Sequence, residues 1–131
     1  MADFPVVASA GTLRADPASG WTVPHDWTPD GVLVEGDGNG AVALHLSVAL
    51  CVLNDTFREG HASGVPVAGV RVRADGAFDR ETWVSQGVAY SVEVDSTASA
   101  GKVAGLLARV DEVAEVPRAL RAGMSVERSD G

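Results

Sequence analysis

Three observations make this sequence an α+β domain. Short strand-like runs precede a long apolar helix, two runs with a period of two follow it, and a second helical stretch leads to a final short run. That order (strands, helix, two strands, helix, strand) differs from the repeating βαβ units of a parallel sheet. With 131 residues the chain can bury a core of its own, and no linker divides it. One domain over residues 1–131 is expected, with N-terminal strands and a loop in 1–39 and the core in 40–131.

Taken in order, residues 1–39 are rich in Gly, Pro, Asp and Thr, with strand-like runs at Val6–Ala10, Thr12–Arg14 and Trp21–Val23. "DPASG", Asp16 to Gly20, reads as the turn of a loose hairpin between them. "EGDGNG", Glu35 to Gly40, is a second break. Its glycines invite a phosphate loop, but no strand is expected before it and no Lys-Ser/Thr follows. A helix is expected from Ala41 to Glu59, with Gly60 as its C′ residue. Its first three turns are apolar nearly all round, the pattern of a buried central helix.

Val67, Val70 and Val72 alternate with polar or small residues up to a turn at Asp75-Gly76, and Val88, Tyr90, Val92 and Val94 alternate beyond it. These runs predict an antiparallel pair. Ser96, Thr97 or Ser99 can cap the next helix, where Val103, Leu106, Leu107, Val110, Val113 and Ala114 fall at helical spacing. Pro117 interrupts it, "RALRAG" adds a short turn of helix closed by Gly123, and "MSVER" predicts a last edge strand.

Composition narrows the function. The chain is 46% apolar and 21% charged, ordinary for a soluble globular protein. A net charge of -8 with no basic stripe argues against nucleic acid as a partner. The apolar run Val42 to Leu53 contains His45 and falls short of the roughly 20 residues of a membrane span. "MADFPVVASAG" lacks the basic and long apolar regions of a signal peptide, so the expectation is a cytoplasmic protein with no membrane partner. A single cysteine allows no internal disulfide. Three scattered histidines make no metal-ligand spacing with it, and neither a metal nor another cofactor is expected.

That cysteine, Cys51, lies in the central helix. At about 100° per residue its face carries Leu44, Ser47, Val48, Asn54, Asp55 and Arg58, and four of those six are polar. Buried polar groups cost about 1–3 kcal/mol each unless paired, so this face lines a wet cleft or satisfies itself. Cys51 is then either a working thiol or a small apolar filler. A reactive thiolate needs a nearby cation. Asp55 opposes it, Arg58 stands two turns away, and Arg14, Arg118 and Arg121 are candidates from flanking segments.

His45 lies about 120° round the helix from Cys51, and reads as a base or ligand, or as a hydrogen-bonded core residue. His25 beside Asp26, followed by Trp27, reads as an oriented general base or as a solvated loop. The catalytic candidates are Cys51, Arg14, His45 and Asp55. Ser47, Asn54, His25, Asp26 and Trp27 are the substrate-binding candidates.

An apolar helix with a central Cys, then "GVPVAGVRVRADGAFD", "GVAYSVEVDSTAS" and a helix ending "AEVPRALR", resembles the OsmC/Ohr family over about residues 40–130. These are the osmotically induced protein C and organic hydroperoxide resistance proteins. The resemblance implies an intertwined α+β homodimer with two long helices at its centre and active sites at the subunit interface. It also implies a peroxidatic Cys, a resolving Cys and an Arg–Glu pair. Cys51 matches the first, Ala114 stands at the resolving position, Ala41 at the glutamate position, and Arg14 is the candidate arginine. The implied activity is reduction of organic hydroperoxides by the Cys51 thiolate, with Arg14 stabilising charge and an external thiol as reductant. A second expectation keeps the interface pocket for a small organic substrate, with His25, His45 or Asp55 performing hydrolysis, isomerisation or cyclisation. A third is ligand binding without turnover.

Overall fold

Six strands and three helices form the domain in this computed structural model, which describes residues 3–129. Residues 1–2 and 130–131, the ends of the expected domain, lie outside the described residues. The strands are β1 (Val6–Gly11), β2 (Trp21–Val23), β3 (Val32–Gly36), β4 (Gly69–Asp75), β5 (Val88–Asp95) and β6 (Val126–Arg128). The helices are α1 (Gly40–Ser63), α2 (Ala100–Val113) and α3 (Glu115–Arg121). The strands make one mixed sheet in the order β2-β3-β1-β4-β5-β6, antiparallel except for β5 with β6. The α+β class and the β4–β5 pair are as the sequence predicts.

The N-terminal hairpin is different from the expectation. β1 pairs with β3 and β4, not with β2, and β3 is a strand the alternation rule passes over. Its Val32, Leu33 and Val34 are all buried, so both faces are apolar and no period of two appears. Thr12–Arg14 is no strand. Gly11 turns the chain at φ +66°, and a Cβ there would fall 2.2 Å from the Ala68 carbonyl oxygen. "DPAS" forms a short 3₁₀ turn capped by the Asp16 side chain.

β3 also places a strand before "EGDGNG", contrary to expectation, though no Lys-Ser/Thr follows it. The loop instead serves α1: Asn39 is the N-cap, and its side chain accepts from the Val42 N–H at 2.9 Å. α1 continues past Gly60 to Ser63 and closes on Gly64, which is left-handed at φ +74°. Gly60 is needed for a close approach rather than a cap, since a Cβ there would sit 2.6 Å from Val67 Cγ2.

With 24 residues, α1 is long and apolar enough to cross a membrane by length and composition. Here it is the core helix. Val42, Leu46, Val48, Ala49, Val52, Leu53 and Phe57 are buried, and the helix lies on β1, β4 and β5 and against α2 and α3. Leu53→Ala is expected to lower unfolding free energy by about 2–5 kcal/mol, from lost burial and the cavity left behind. Urea denaturation checks this; a change below about 1 kcal/mol would mean the site collapses around the smaller side chain.

The parallel β5–β6 pair requires a crossover, which α2 and α3 supply. Ser99 is the cap of α2, accepting from the Lys102 N–H at 3.2 Å. At Ala114 the backbone becomes extended for one residue (φ −60°, ψ 126°), which separates α2 from α3. Pro117 falls in the first turn of α3, where its missing N–H costs nothing. This break lays Glu115 and Val116 against α1 beside Cys51.

Candidate functional site

α1 presents Cys51 and Asp55 one turn apart, with Arg58 three residues beyond Asp55, and α3 closes over them with Glu115. The sulfur of Cys51 lies 3.6 Å from Glu115 Oε2 and 3.9 Å from Asp55 Oδ2, two acceptors for its single proton. The Val116 N–H points at the same sulfur from 3.5 Å. Arg58 Nη2 is 3.1 Å from Asp55 Oδ2 and 3.3 Å from Glu115 Oε1, so one guanidinium bridges both carboxylates. Its Nε reaches Glu59 at 3.4 Å, and Glu59 meets Arg109 of α2 at 2.9 Å.

The two carboxyls differ in surroundings. Asp55 is 1% exposed and Glu115 65%. Burial pushes the Asp55 carboxyl above its ordinary range, although the Asn54 amide and Arg58 pull the other way. Glu115 is held below its usual value, first by its own backbone N–H and also by Asp55 and Arg58. The thiol also feels the pair. Burial raises Cys51 to about 11, the Val116 N–H opposes this, and both carboxylates add to it. At rest Cys51 is therefore a protonated thiol.

Among the sequence candidates, Cys51 and Asp55 come together with Asn54, whose Nδ2 donates to Asp55 Oδ1 at 3.3 Å. His25 approaches from the β2–β3 loop. Its Nδ1 is 2.8 Å from Thr28 Oγ1, and that hydroxyl also lies 3.4 Å from the Gly31 carbonyl oxygen. The His25 ring lies beside Asn54 and edge-on to Phe57, with centroids 5.4 Å apart. Burial lowers its pKa against the pull of Asn54 and Asp26. A neutral ring with a buried Nε2 thus borders the cluster.

The remaining candidates lie elsewhere. His45 is fully buried, bonds Phe4 O through Nδ1 at 2.9 Å and stacks on Phe78, making it a core residue with no contact to Cys51. Arg14 donates to Thr22 Oγ1 at 3.3 Å, and the guanidinium next to the Cys51 cluster is that of Arg58. Ser47 bonds back to the Leu44 carbonyl at 2.6 Å. Asp26 is exposed, and the Trp27 ring leans on His61 with centroids 5.4 Å apart.

Glu115 and Val116 are the site residues that sequence reasoning did not single out. The signal for them was the helix break written "AEVP", which starts a new helix one residue after Ala114. Ligand atoms of Cys51, Asp55 and Glu115 lie within 4.8 Å of one another, so they could hold a metal ion. Arg58 already supplies a cation to both carboxylates.

The comparison with known structures rests on the whole fold, one long core helix laid on a six-stranded mixed sheet with two further helices. An OsmC-like protein from Mycoplasma pneumoniae superposes with a TM-score of 0.64 at 12% identity, over 100% of this chain and 96% of that one. The organic hydroperoxide resistance protein OsmC of Legionella pneumophila gives 0.60 at 17% identity, over 73% of each chain. A protein from Lactobacillus casei gives 0.57 at 17% identity, over 91% of this chain and 88% of the other.

The fold is OsmC-like.

No family model matches the sequence, and no curated protein matches it. At these identities the OsmC-like likeness is one of architecture. In this OsmC-like chain the only cysteine is Cys51, and Ala114, at the expected resolving position, is fully buried.

Proposed function

We propose that this chain is a one-cysteine thiol peroxidase that acts as a homodimer and reduces organic hydroperoxides with Cys51. The observation that carries the reading is the set of groups around one half-buried sulfur: the Val116 N–H, the Arg58 guanidinium one carboxylate away, and the buried acid Asp55. In the first step the Cys51 thiolate attacks the terminal peroxide oxygen and the O–O bond breaks. The S–H proton has gone to solvent, the terminal OH stays on sulfur as sulfenic acid, and the alkoxide takes a proton from solvent. One external thiol then forms a mixed disulfide with loss of water, and a second releases Cys51 as thiol and leaves as a disulfide.

How the thiol loses its proton is a question of magnitude. Glu115 is in contact with it, but a carboxylate below its usual range is a very weak base for a thiol at about 11. Ionisation to solvent before attack is the easier route. It leaves about one thiol in ten thousand ionised at pH 7. The expected turnover is slow at neutral pH and rises about tenfold per pH unit through pH 9. Stopped-flow consumption of cumene hydroperoxide, with mass spectrometry of Cys51, checks this. A flat pH profile, or a Cys51 that stays unoxidised while peroxide is consumed, would overturn the reading.

A second reading is favoured by the opposite displacement of Asp55 and Glu115, which sets apart the proton affinities of two carboxyl groups held by one guanidinium. On that reading Cys51 only donates a hydrogen bond, and the carboxyl pair performs non-redox chemistry on a small organic substrate. Hydroperoxide would then leave the protein unchanged at Cys51.

A further inference from the structure

Away from the thiol, a cleft of about 380 Å³ opens between residues 27–30, the turn 65–68 and the C-terminal half of α1. That volume lies within the range of small-molecule sites, about 300–1,000 Å³. Phe57, 7% exposed, lines it with Pro29, Val65, Pro66 and Val67, and the Trp27 ring stands at its edge, 39% exposed.

The walls are built before any ligand arrives. Pro29 and Pro66 fix their own φ angles. The 27–30 wall is tied by the Gly31 N–H to Thr28 O at 3.2 Å and by the His25–Thr28 bond at 2.8 Å. The opposite wall is tied by Val65 N–H to Gly60 O at 2.9 Å and Ala68 N–H to Asp95 O at 2.8 Å. A rigid cleft loses little entropy on binding. Trp27 is tilted against His61 and remains 39% exposed at the cleft.

Charge selects the ligand. Among the described residues lining the cleft, Asp30 is the one carboxylate, and there is no Lys or Arg. His61 and Thr28 are the polar donors there, but an anion would meet the Asp30 carboxylate with no Lys or Arg to offset it, while an ammonium group gains both Asp30 and the electron-rich face of Trp27. Apolar walls with one carboxylate at the rim suit a flat ring joined to a cationic amine.

We infer that the cleft walled by Trp27, Phe57, Pro66 and Asp30 is a binding site for small aromatic amines. It uses neither Cys51 nor its carboxylates, so it stands whatever chemistry the thiol performs. The ring lies over Trp27 and against Phe57, and the ammonium faces Asp30.

Phenethylamine is the probe, with 3-phenylpropionate as its anionic counterpart, both followed by calorimetric titration of the full chain. Phenethylamine is expected to bind at one site per chain, at least about tenfold more tightly than the anion. Asp30→Asn should remove that preference while ring binding persists, and Trp27→Ala should weaken phenethylamine about tenfold or more. Both side chains are at least partly exposed, so thermal melts of the two variants should match the parent. The inference is overturned by absence of saturable phenethylamine binding at about 5 mM, by equal affinity for the anion, or by unchanged binding in Trp27→Ala.

Discussion

Replacing Cys51 by serine is expected to abolish hydroperoxide turnover, and replacing Glu115 by glutamine to raise alkylation of Cys51 about tenfold at neutral pH. The two variants separate what the sulfur does from what surrounds it. In the parent protein the thiol is raised to about 11 by burial, and Asp55 and Glu115 add to that rise. Glu115→Gln removes one of these charges and the acceptor nearest the S–H, while the Val116 N–H remains at 3.5 Å to support the anion. It also frees Arg58 from one of its three carboxylate partners, so more of its charge acts on the site. Glu115 is largely exposed, so the variant should fold normally and the change should be one of reactivity alone. Iodoacetamide labelling followed against pH measures it directly. If labelling of Glu115→Gln is no faster than that of the parent, Glu115 does not restrain the thiol.

This restraint is the feature that least resembles an activated cysteine. A catalytic thiolate is ordinarily supported by a net positive neighbourhood. Here one arginine is shared among three carboxylates, and the balance favours the thiol. Without a second cysteine, a readily ionised Cys51 would be exposed to oxidation beyond the sulfenic state. Holding the sulfur protonated at rest slows that oxidation along with the first step of the proposed turnover.

Much of this arrangement could be read from the sequence. Helical spacing placed Asp55 and Asn54 on the Cys51 face, because local positions on one helix follow from its turn angle alone. The alternation of Val88 and Tyr90 placed β5 against β4 for the same reason. β3 is illegible because burial on both faces erases alternation, and without β3 the sequence offers only a loose hairpin where β3 in fact lies between β1 and β2. Glu115 was illegible for a different reason. It reaches Cys51 across 64 positions of sequence, and only the backbone break at Ala114 aims it there. The arginine illustrates the same limit: helical spacing puts Arg58 on the Cys51 face, but only the fold shows its guanidinium bridging Asp55 and Glu115.

One side chain ties the end of α3 to its neighbours, and Arg121→Ala is expected to cost about 2–3 kcal/mol of stability. Arg121 Nε donates to Val126 O at 2.8 Å, Nη1 to Asp111 O at 3.0 Å, and Nη2 to Asp111 Oδ1 at 2.9 Å. One guanidinium thus joins the end of α3 to α2 and β6. Asp111 also accepts from the hydroxyl of Tyr90, which burial and that carboxylate together push above its ordinary pKa. Alanine would leave two carbonyls without this donor and the carboxylate with Tyr90 alone. About a third of the Arg121 side chain is exposed, so water repays part of the loss and the cost stays below that of a fully buried pair. Because Glu115 and Val116 begin the same short helix, loosening its far end should also expose the sulfur. Native-state labelling of Cys51 should therefore accelerate in Arg121→Ala, and Arg121→Lys should fall between it and the parent, since an ammonium keeps the charge but not the three-pronged geometry. Urea denaturation and timed labelling on the same samples measure both effects. A stability change within about 0.5 kcal/mol would show that α3 is held by its apolar contacts instead, chiefly Pro117 and its neighbours Val116 and Leu120 against the core.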